Sequence, residues 1–78
     1  MYYDVRDWLS FKNDGEETKH YFEEDEVILI IEDYDKGDFT VEGIIVCITE
    51  DTIILRTTNG RLESYYLAYI MSMSKNNN

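Results

Sequence analysis

The sequence predicts a mostly β fold, in which an N-terminal helix precedes a strongly bent antiparallel barrel of four or five strands. Two observations carry this prediction. From residue 27 onward, segments rich in β-branched and aromatic residues follow one another with short turns between them. The chain also contains no proline and no second helical pattern, which leaves few alternatives to a small antiparallel sheet or barrel.

The helix is predicted over roughly residues 4–12. Asp4 is a suitable N-cap, and Tyr3 and Trp8 occupy the two positions of a hydrophobic staple around it. One face carries the i, i+3, i+4, i+7 spacing with Val5, Trp8, Leu9 and Lys12. The segment 13–15, Asn-Asp-Gly, supplies a stop signal. Trp8 is therefore expected to pack the helix onto the barrel.

The strands are bounded by turn residues. Residues 16–26 are charged and fit helix, strand or loop. Strands are predicted at 27–31, 39–48, 52–57 and 61–73, the last as one long strand or two short ones joined by a bend. The dipeptide Asn59-Gly60 is a strong hairpin signal. The strand at 39–48 is apolar on both faces, with Ile44, Val46 and Ile48 on one side and Val41, Ile45 and Cys47 on the other.

The length of 78 residues allows one domain, predicted over 1–74 with a disordered tail at 75–78. Domains of this size usually add a disulfide, a metal or a second subunit to a small core. Cys47 is the only cysteine, so an intramolecular disulfide and a cysteine-bound zinc are excluded, and a reduced, buried thiol is expected. The sequence therefore predicts a homo-oligomer, which would also cover the second apolar face.

The net charge of −10 is distributed unevenly. Residues 1–51 hold 16 acids and 4 bases, whereas residues 52–78 hold Glu63 against three bases. The negative net charge disfavours sequence-independent binding to a nucleic-acid backbone, but residues 52–78 contain few acids and could accept an anion. No segment approaches the ~18 apolar residues of a membrane span, and the N-terminus lacks a signal-peptide pattern. A cytoplasmic protein without membrane contact is expected.

The stretch VEGIIVCITEDTIILRTTNGRLESYYLAYI resembles the Sm/Lsm family, including its bacterial Hfq-like branch. Gly43 matches the glycine at which the long second strand bends, and the segment 65–68 looks like the motif that ends the fourth strand. The surrounding apolar pattern is matched by Ile45, Ile48, Ile53 and Leu55. The resemblance covers about residues 27–74. It implies an SH3/Sm-like barrel with an N-terminal helix and rings built by edge strands. The family's usual ligand residues are not matched, since Thr49, Ile53 and Tyr66-Leu67 stand in their places.

A ligand site is predicted on and after the Asn59-Gly60 hairpin. Arginine forks hold phosphate, and tyrosine rings stack on bases. The candidate ligand-binding residues are Arg56, Asn59, Arg61, Tyr65 and Tyr66. They predict an oligomeric Sm-like protein that holds a nucleotide or short single-stranded oligonucleotide at subunit interfaces. A phage counter-defence sponge for a nucleotide signal is one such use, and the Asn-, Ile-, Tyr- and Lys-rich composition is typical of AT-rich genomes. The alternative is that the tyrosines pack in the core or an interface and the arginines neutralise acids.

An acidic surface is the rival site. Its candidate residues are Glu23, Glu24, Asp25, Glu26, Asp33, Asp35 and Asp38. Such a surface could mimic nucleic acid and block a basic protein, in the manner of an anti-CRISPR, or merely keep the protein soluble. A structural or regulatory subunit without a small ligand is the third alternative.

Catalytic residues are not evident from the spacing. His20 has no cysteine or serine partner and is expected to be a solvated surface residue. The acid pairs Glu23-Glu24 and Asp33-Asp35 lack calcium-loop spacing, and no glycine loop could cradle a phosphate. A non-enzyme without cofactor or metal is expected.

Overall fold

The computed structural model describes residues 2–76, which form eight β-strands. The strands are β1 Tyr2–Val5, β2 Leu9–Lys12, β3 Lys19–Tyr21, β4 Glu26–Ile31, β5 Phe39–Ile48, β6 Thr52–Thr57, β7 Leu62–Tyr66 and β8 Ile70–Lys75, and a 3-10 turn at Leu67–Tyr69 links the last two. They build two antiparallel sheets, one in the order β1-β2-β3 and one in the order β7-β6-β5-β4-β8.

The predicted N-terminal helix is wrong, because residues 2–12 form the β1–β2 hairpin. Leu9 and Phe11 are buried, while the residues that follow each of them are half-buried. This period of two is the pattern of a strand with one covered face. A helix with its apolar face at positions 5, 8, 9 and 12 would direct the charged Lys12 toward the core, where it would need a partner. The Tyr, Val and Phe side chains of this stretch have high β propensity and favour the two strands instead.

The predicted barrel is also wrong, because the strands form two separate sheets that do not close into a barrel and that pack across one shared core. The three-stranded sheet contributes Leu9, Phe11 and Tyr21. The five-stranded sheet and its 3-10 turn contribute Val27, Leu29, Ile31, Ile45, Ile53, Leu55, Leu67, Ile70 and Met73. The smaller sheet thus covers the apolar face that the predicted helix was expected to cover.

The strands predicted at 27–31, 39–48 and 52–57 are confirmed, and the segment after the Asn59-Gly60 hairpin divides into two strands at a bend. The two predicted faces of β5 are wrong beyond residue 45. The register shifts between Ile45 and Cys47, so Ile45 pairs with Leu55 while Cys47 pairs with Ile54. This bulge inserts one residue and exchanges the faces that follow it.

Gly43 lies on β5 directly beside the backbone of β6. A Cβ atom at this position would stand 2.6 Å from the backbone oxygen of Arg56. Real Cβ atoms do not approach a carbonyl oxygen so closely. The absence of a side chain is therefore what permits this strand approach, as expected for a glycine inside a strand.

The last described residues continue the sheet. Lys75 ends β8, and the Asn76 N–H donates to the Glu26 carbonyl at 2.9 Å. Of the tail predicted at 75–78, only 77–78 lie outside the described residues. Within residues 2–76, no helix has the length and apolarity needed to cross a membrane.

Candidate functional site

The two arginines of the predicted ligand site lie on opposite faces of the β6–β7 hairpin. Arg56 is paired in register with Leu62, and the two share the outer face of the sheet. The Arg61 guanidinium instead approaches the Glu63 carboxylate, with 3.6 Å between Nε and Oε1. Because side chains alternate along a strand, Arg61 and Glu63 lie on the face opposite to Arg56. One phosphate therefore cannot bridge both arginines in this conformation.

The two tyrosines are divided in the same way. Tyr65 is half-buried against the core, its ring centroid 6.4 Å from that of Phe39, and burial raises the pKa of its hydroxyl. Tyr66 lies on the outer face with its ring edge-on to Tyr69 at 6.0 Å. Along β7, Tyr66 is about 13 Å from the Arg56–Leu62 pair, given the rise per residue of a strand. The structure therefore keeps the two tyrosines on separate surfaces.

Asn59 is used by the hairpin turn itself. Its side-chain oxygen accepts hydrogen bonds from the Thr57 hydroxyl and from the Arg61 N–H. Arg56 lines a shallow cleft of about 250 Å³ together with Glu26 and Glu42. These two carboxylates make the surroundings of Arg56 unfavourable for a further anion. The five predicted ligand residues are thus not brought together.

The predicted acidic face consists of two clusters at opposite ends of β4. Glu23, Glu24, Asp25 and Glu26 lie at its start, and Asp33, Asp35 and Asp38 lie beyond its end. The ends of a six-residue strand are roughly 17 Å apart. Two of the acids stabilise turns, since the Asp25 carboxylate accepts from the Phe22 N–H at 2.9 Å and the Asp33 carboxylate accepts from the Asp35 N–H at 2.9 Å.

An acidic and aromatic cleft of about 340 Å³ lies next to the second cluster. Its lining consists of Ile31, Glu32, Asp33, Tyr34, Asp35, Phe39 and Tyr69. Tyr34 projects from the β4–β5 turn and is 85% exposed. Three carboxylates and an exposed ring suit a cationic group, which they can attract by charge and by cation–π contact.

A third cleft, of about 520 Å³, is lined by cationic residues that are far apart in the sequence. Its lining consists of Thr18, Lys19, His20, Phe22, Ser74 and Lys75. We refer to it as the β3–β8 cleft. Among residues 2–76, no carboxylate belongs to this lining, although the chain carries 17 acids. Two ammonium groups, two hydroxyls and an imidazole are the groups that bind a phosphate.

Aromatic rings flank the β3–β8 cleft. Trp8 stacks on His20 with 5.9 Å between ring centroids and an interplanar angle of 24°. Phe22 lies 6.2 Å from Trp8 in a tilted arrangement and is 47% exposed. The prediction that His20 is merely a solvated residue thus omits its stacking on Trp8. An exposed ring beside ammonium groups can stack on a base whose phosphate those groups hold.

The two lysines of the cleft have weak partners. Lys19 Nζ lies 4.0 Å from Glu16 Oε1, and Lys75 Nζ lies 3.7 Å from Asp25 Oδ2 and 5.6 Å from the centre of the Tyr21 ring. Both ion pairs are solvent-accessible, and such pairs contribute only about 0–1 kcal/mol. A ligand phosphate can therefore compete for either ammonium group at small cost.

Sequence reasoning missed the β3–β8 cleft because its members are remote in the chain. The sequence predicts no definite secondary structure for Lys19 and His20, and it places Lys75 in the tail. Only the pairing of β8 with β4 and the packing of β3 near Met73 bring them together. The one local signal was the cluster of Lys19, His20 and Phe22 within an acidic stretch.

No protein-family model, no curated protein and no solved structure matches this chain. The resemblance to the Sm/Lsm family therefore stays a prediction.

Proposed function

We propose that this protein is a non-enzymatic binding protein that holds a nucleotide, or the end of a short oligonucleotide, in the β3–β8 cleft. The single observation that carries the proposal is the lining of the cleft, which includes Lys19, His20 and Lys75 and no acidic residue. Glu16 and Asp25 lie beside the two ammonium groups but do not line the cleft. The ligand class is the one that the sequence predicts, but the site lies in the β3–β8 cleft and not on the β6–β7 hairpin.

The phosphate is held by the ammonium groups of Lys19 and Lys75, each of which exchanges a solvent-accessible carboxylate partner for it. The hydroxyls of Thr18 and Ser74 supply further hydrogen bonds. The base stacks on Phe22, which offers an exposed ring at the same cleft. Charge-assisted hydrogen bonds fix the phosphate, whereas stacking tolerates any base.

The size of the ligand follows from the charge of the whole chain. A nucleotide touches only the cleft, whereas a long strand would run past it onto a protein of net charge −10. Long polyanions are bound by extended basic surfaces, and their affinity rises with the number of phosphates that lysine and arginine neutralise. The geometry therefore favours one or two phosphates.

Calorimetry with a panel of mono-, di- and cyclic nucleotides tests this proposal. Lys19→Glu and Lys75→Glu should each weaken binding by about tenfold or more, because each replaces a charge-assisted hydrogen bond with repulsion. Arg56→Glu is the matched control, since it reverses an exposed cation of the predicted hairpin site. Loss of binding in Arg56→Glu alone would show that the ligand binds at the β6–β7 hairpin. If no nucleotide of the panel binds the wild-type protein, the proposal is rejected.

A second candidate function is favoured by the acidic and aromatic cleft at the β4–β5 turn. Glu32, Asp33 and Asp35 beside exposed Tyr34 suit a lysine or arginine of a basic protein. In that case Asp35→Lys and Tyr34→Ala should remove binding to a basic protein such as a nucleic-acid-binding enzyme. Lys19→Glu should leave that binding intact, and the interaction should weaken steeply with salt.

A further inference from the structure

The strand β7 has one free edge. Among residues 2–76 it hydrogen-bonds only to β6, and it forms one border of the five-stranded sheet. The Thr57 N–H donates to the Arg61 carbonyl at 2.8 Å, and the Leu67 N–H donates to the Asp51 carbonyl at 2.9 Å. Because these bonds alternate along an antiparallel ladder, the N–H and C=O groups of Leu62, Ser64 and Tyr66 point away from β6.

The opposite border of the same sheet, β8, is partly closed. The Asn13 side chain accepts a hydrogen bond from the Met73 N–H at 2.9 Å and donates one to the Met73 carbonyl at 2.8 Å. Another strand could not pair with β8 there without displacing Asn13. A contact that joins β7 of one molecule to β8 of the next is therefore obstructed, while β7 itself stays accessible.

We propose that β7 pairs antiparallel with β7 of a second copy of this chain, around a twofold axis at Ser64. Ser64 then lies opposite Ser64 of the partner subunit, and Leu62 lies opposite Tyr66 of the partner subunit. These are hydrogen-bonded pairs, so every backbone group that the free edge presents gains a partner. The two five-stranded sheets become one continuous sheet.

The side chains of β7 favour this register. Leu62 is 63% exposed and Tyr66 is 60% exposed, on the same face, and pairing across the axis covers one with the other. A twofold axis at Glu63 would instead set two carboxylates opposite each other. An axis at Tyr65 would place Leu62 beyond the partner's strand, opposite its 3-10 turn. Of these three registers, only the one centred on Ser64 avoids both arrangements.

The charge distribution favours a second copy at this edge. Two molecules of charge −10 repel each other, and the repulsion is smallest where acids are few. Glu63 is the only acid from residue 52 onward, and it is paired with Arg61. Added salt should therefore strengthen the dimer, because it screens the repulsion and leaves the strand pairing unaffected.

Site-directed cross-linking tests the register. In a Cys47→Ser background, Ser64→Cys should form a disulfide-linked dimer under mild oxidation, since hydrogen-bonded pairs stand about 5.5 Å apart at Cα, within disulfide range. Ser74→Cys is the matched control, an exposed serine on the other border strand, and should not cross-link. Equal cross-linking of both variants, or of neither, would overturn the proposal.

Sedimentation equilibrium gives the second readout. The wild type should be a dimer whose dissociation constant falls with salt. Ser64→Pro should be a monomer at concentrations where the wild type is a dimer. Proline has no backbone N–H to donate to the partner subunit, and its ring would collide with the partner strand at the twofold axis. The β6–β7 pairing of this variant should persist, since the Ser64 N–H does not face β6, and its melting temperature should match that of the wild type at dilutions where the wild type is monomeric. A monomeric wild type at high salt, or a dimeric Ser64→Pro variant, would contradict the inference.

Discussion

The side-chain amide of Asn13 satisfies both backbone groups of Met73. Its Oδ1 accepts from the Met73 N–H at 2.9 Å, and its Nδ2 donates to the Met73 carbonyl at 2.8 Å. The two residues are 60 positions apart, and their contact joins the end of the β1–β2 hairpin to the border strand β8. One amide thus takes the place of a neighbouring strand and fixes the small sheet beside the β3–β8 cleft.

Replacement of Asn13 by alanine should lower the free energy of unfolding by about 2–3 kcal/mol, because a part-buried Met73 N–H loses its partner. Asn59→Ala is the matched control. The Asn59 amide accepts bonds only within an exposed hairpin, and its loss should cost about 1 kcal/mol or less. Urea denaturation measures both. Equal losses would show that the Asn13 contact contributes nothing beyond an ordinary turn.

Leu9→Ala should destabilise the protein more than Trp8→Ala. Leu9 is fully buried in the core, and its truncation should cost about 3 kcal/mol or more. Trp8 lies outside the core cluster and stacks on His20, so its truncation should cost about 1 kcal/mol. Thermal melts of the two variants give the comparison. A larger loss in Trp8→Ala would restore the packing role that the helical interpretation assigned to it.

Gly43→Ala should destabilise the sheet by about 2 kcal/mol or more, because the new Cβ would overlap the Arg56 carbonyl. Gly37→Ala is the control. Its site has open space but a φ of +80°, so only the left-handed backbone conformation opposes the change, at about 1–2 kcal/mol. Denaturation midpoints distinguish them. A harmless Gly43→Ala would mean that β5 and β6 can move apart freely.

Alkaline pH should weaken the fold through Tyr21. Burial, and then the charges of Glu16 and Asp25, raise the pKa of its hydroxyl above the ordinary value of 10.0. As pH rises above 10, the unfolded chain releases this proton before the folded chain does. Stability is therefore fully present below pH 10 and is lost as pH rises through the folded pKa.

The variant Tyr21→Phe tests this dependence. It should lose about 1 kcal/mol at neutral pH, because the hydroxyl no longer donates to the Met73 carbonyl at 3.2 Å. Its further loss above pH 10 should be shallower than in the wild type. Tyr34→Phe, at an exposed position, should keep the full alkaline slope. An unchanged slope in Tyr21→Phe would assign the alkaline loss to other groups.

The sequence predicted those strands whose signals are local. β-Branched runs end at turn residues around β4, β5 and β6, and Asn59-Gly60 places the hairpin that follows. The N-terminal hairpin was mispredicted because Val5, Trp8 and Leu9 fit a helical face while Leu9 and Phe11 fit a strand. Whether the helical or the strand periodicity determines the structure depends on the sheet against which Leu9 packs. The residues of that sheet are distant in the sequence, so a short segment does not reveal them.

The candidate site was less predictable than the fold. Arg56 and Arg61 are close in sequence, yet strand alternation directs them to opposite faces. Lys19 and Lys75 stand at opposite ends of the chain, yet β3 and β8 bring them to one cleft. The sequence predicts the class of ligand from residues 52–78, which contain a single acid. The proposed β3–β8 cleft instead combines residues from both halves of the chain.

The most direct test of the central claim uses Trp8, the only tryptophan, whose indole N–H gives a single NMR resonance beside the β3–β8 cleft. Titration with a nucleoside monophosphate should shift this resonance saturably, together with the backbone amides of Lys19, His20 and Lys75. The amide resonances of Arg56 and Arg61 should not shift, and the Lys75→Glu variant should show no shift of the Trp8 resonance. A folded wild-type protein whose Trp8 resonance does not move, or whose shifts concentrate at the β6–β7 hairpin, would contradict the account.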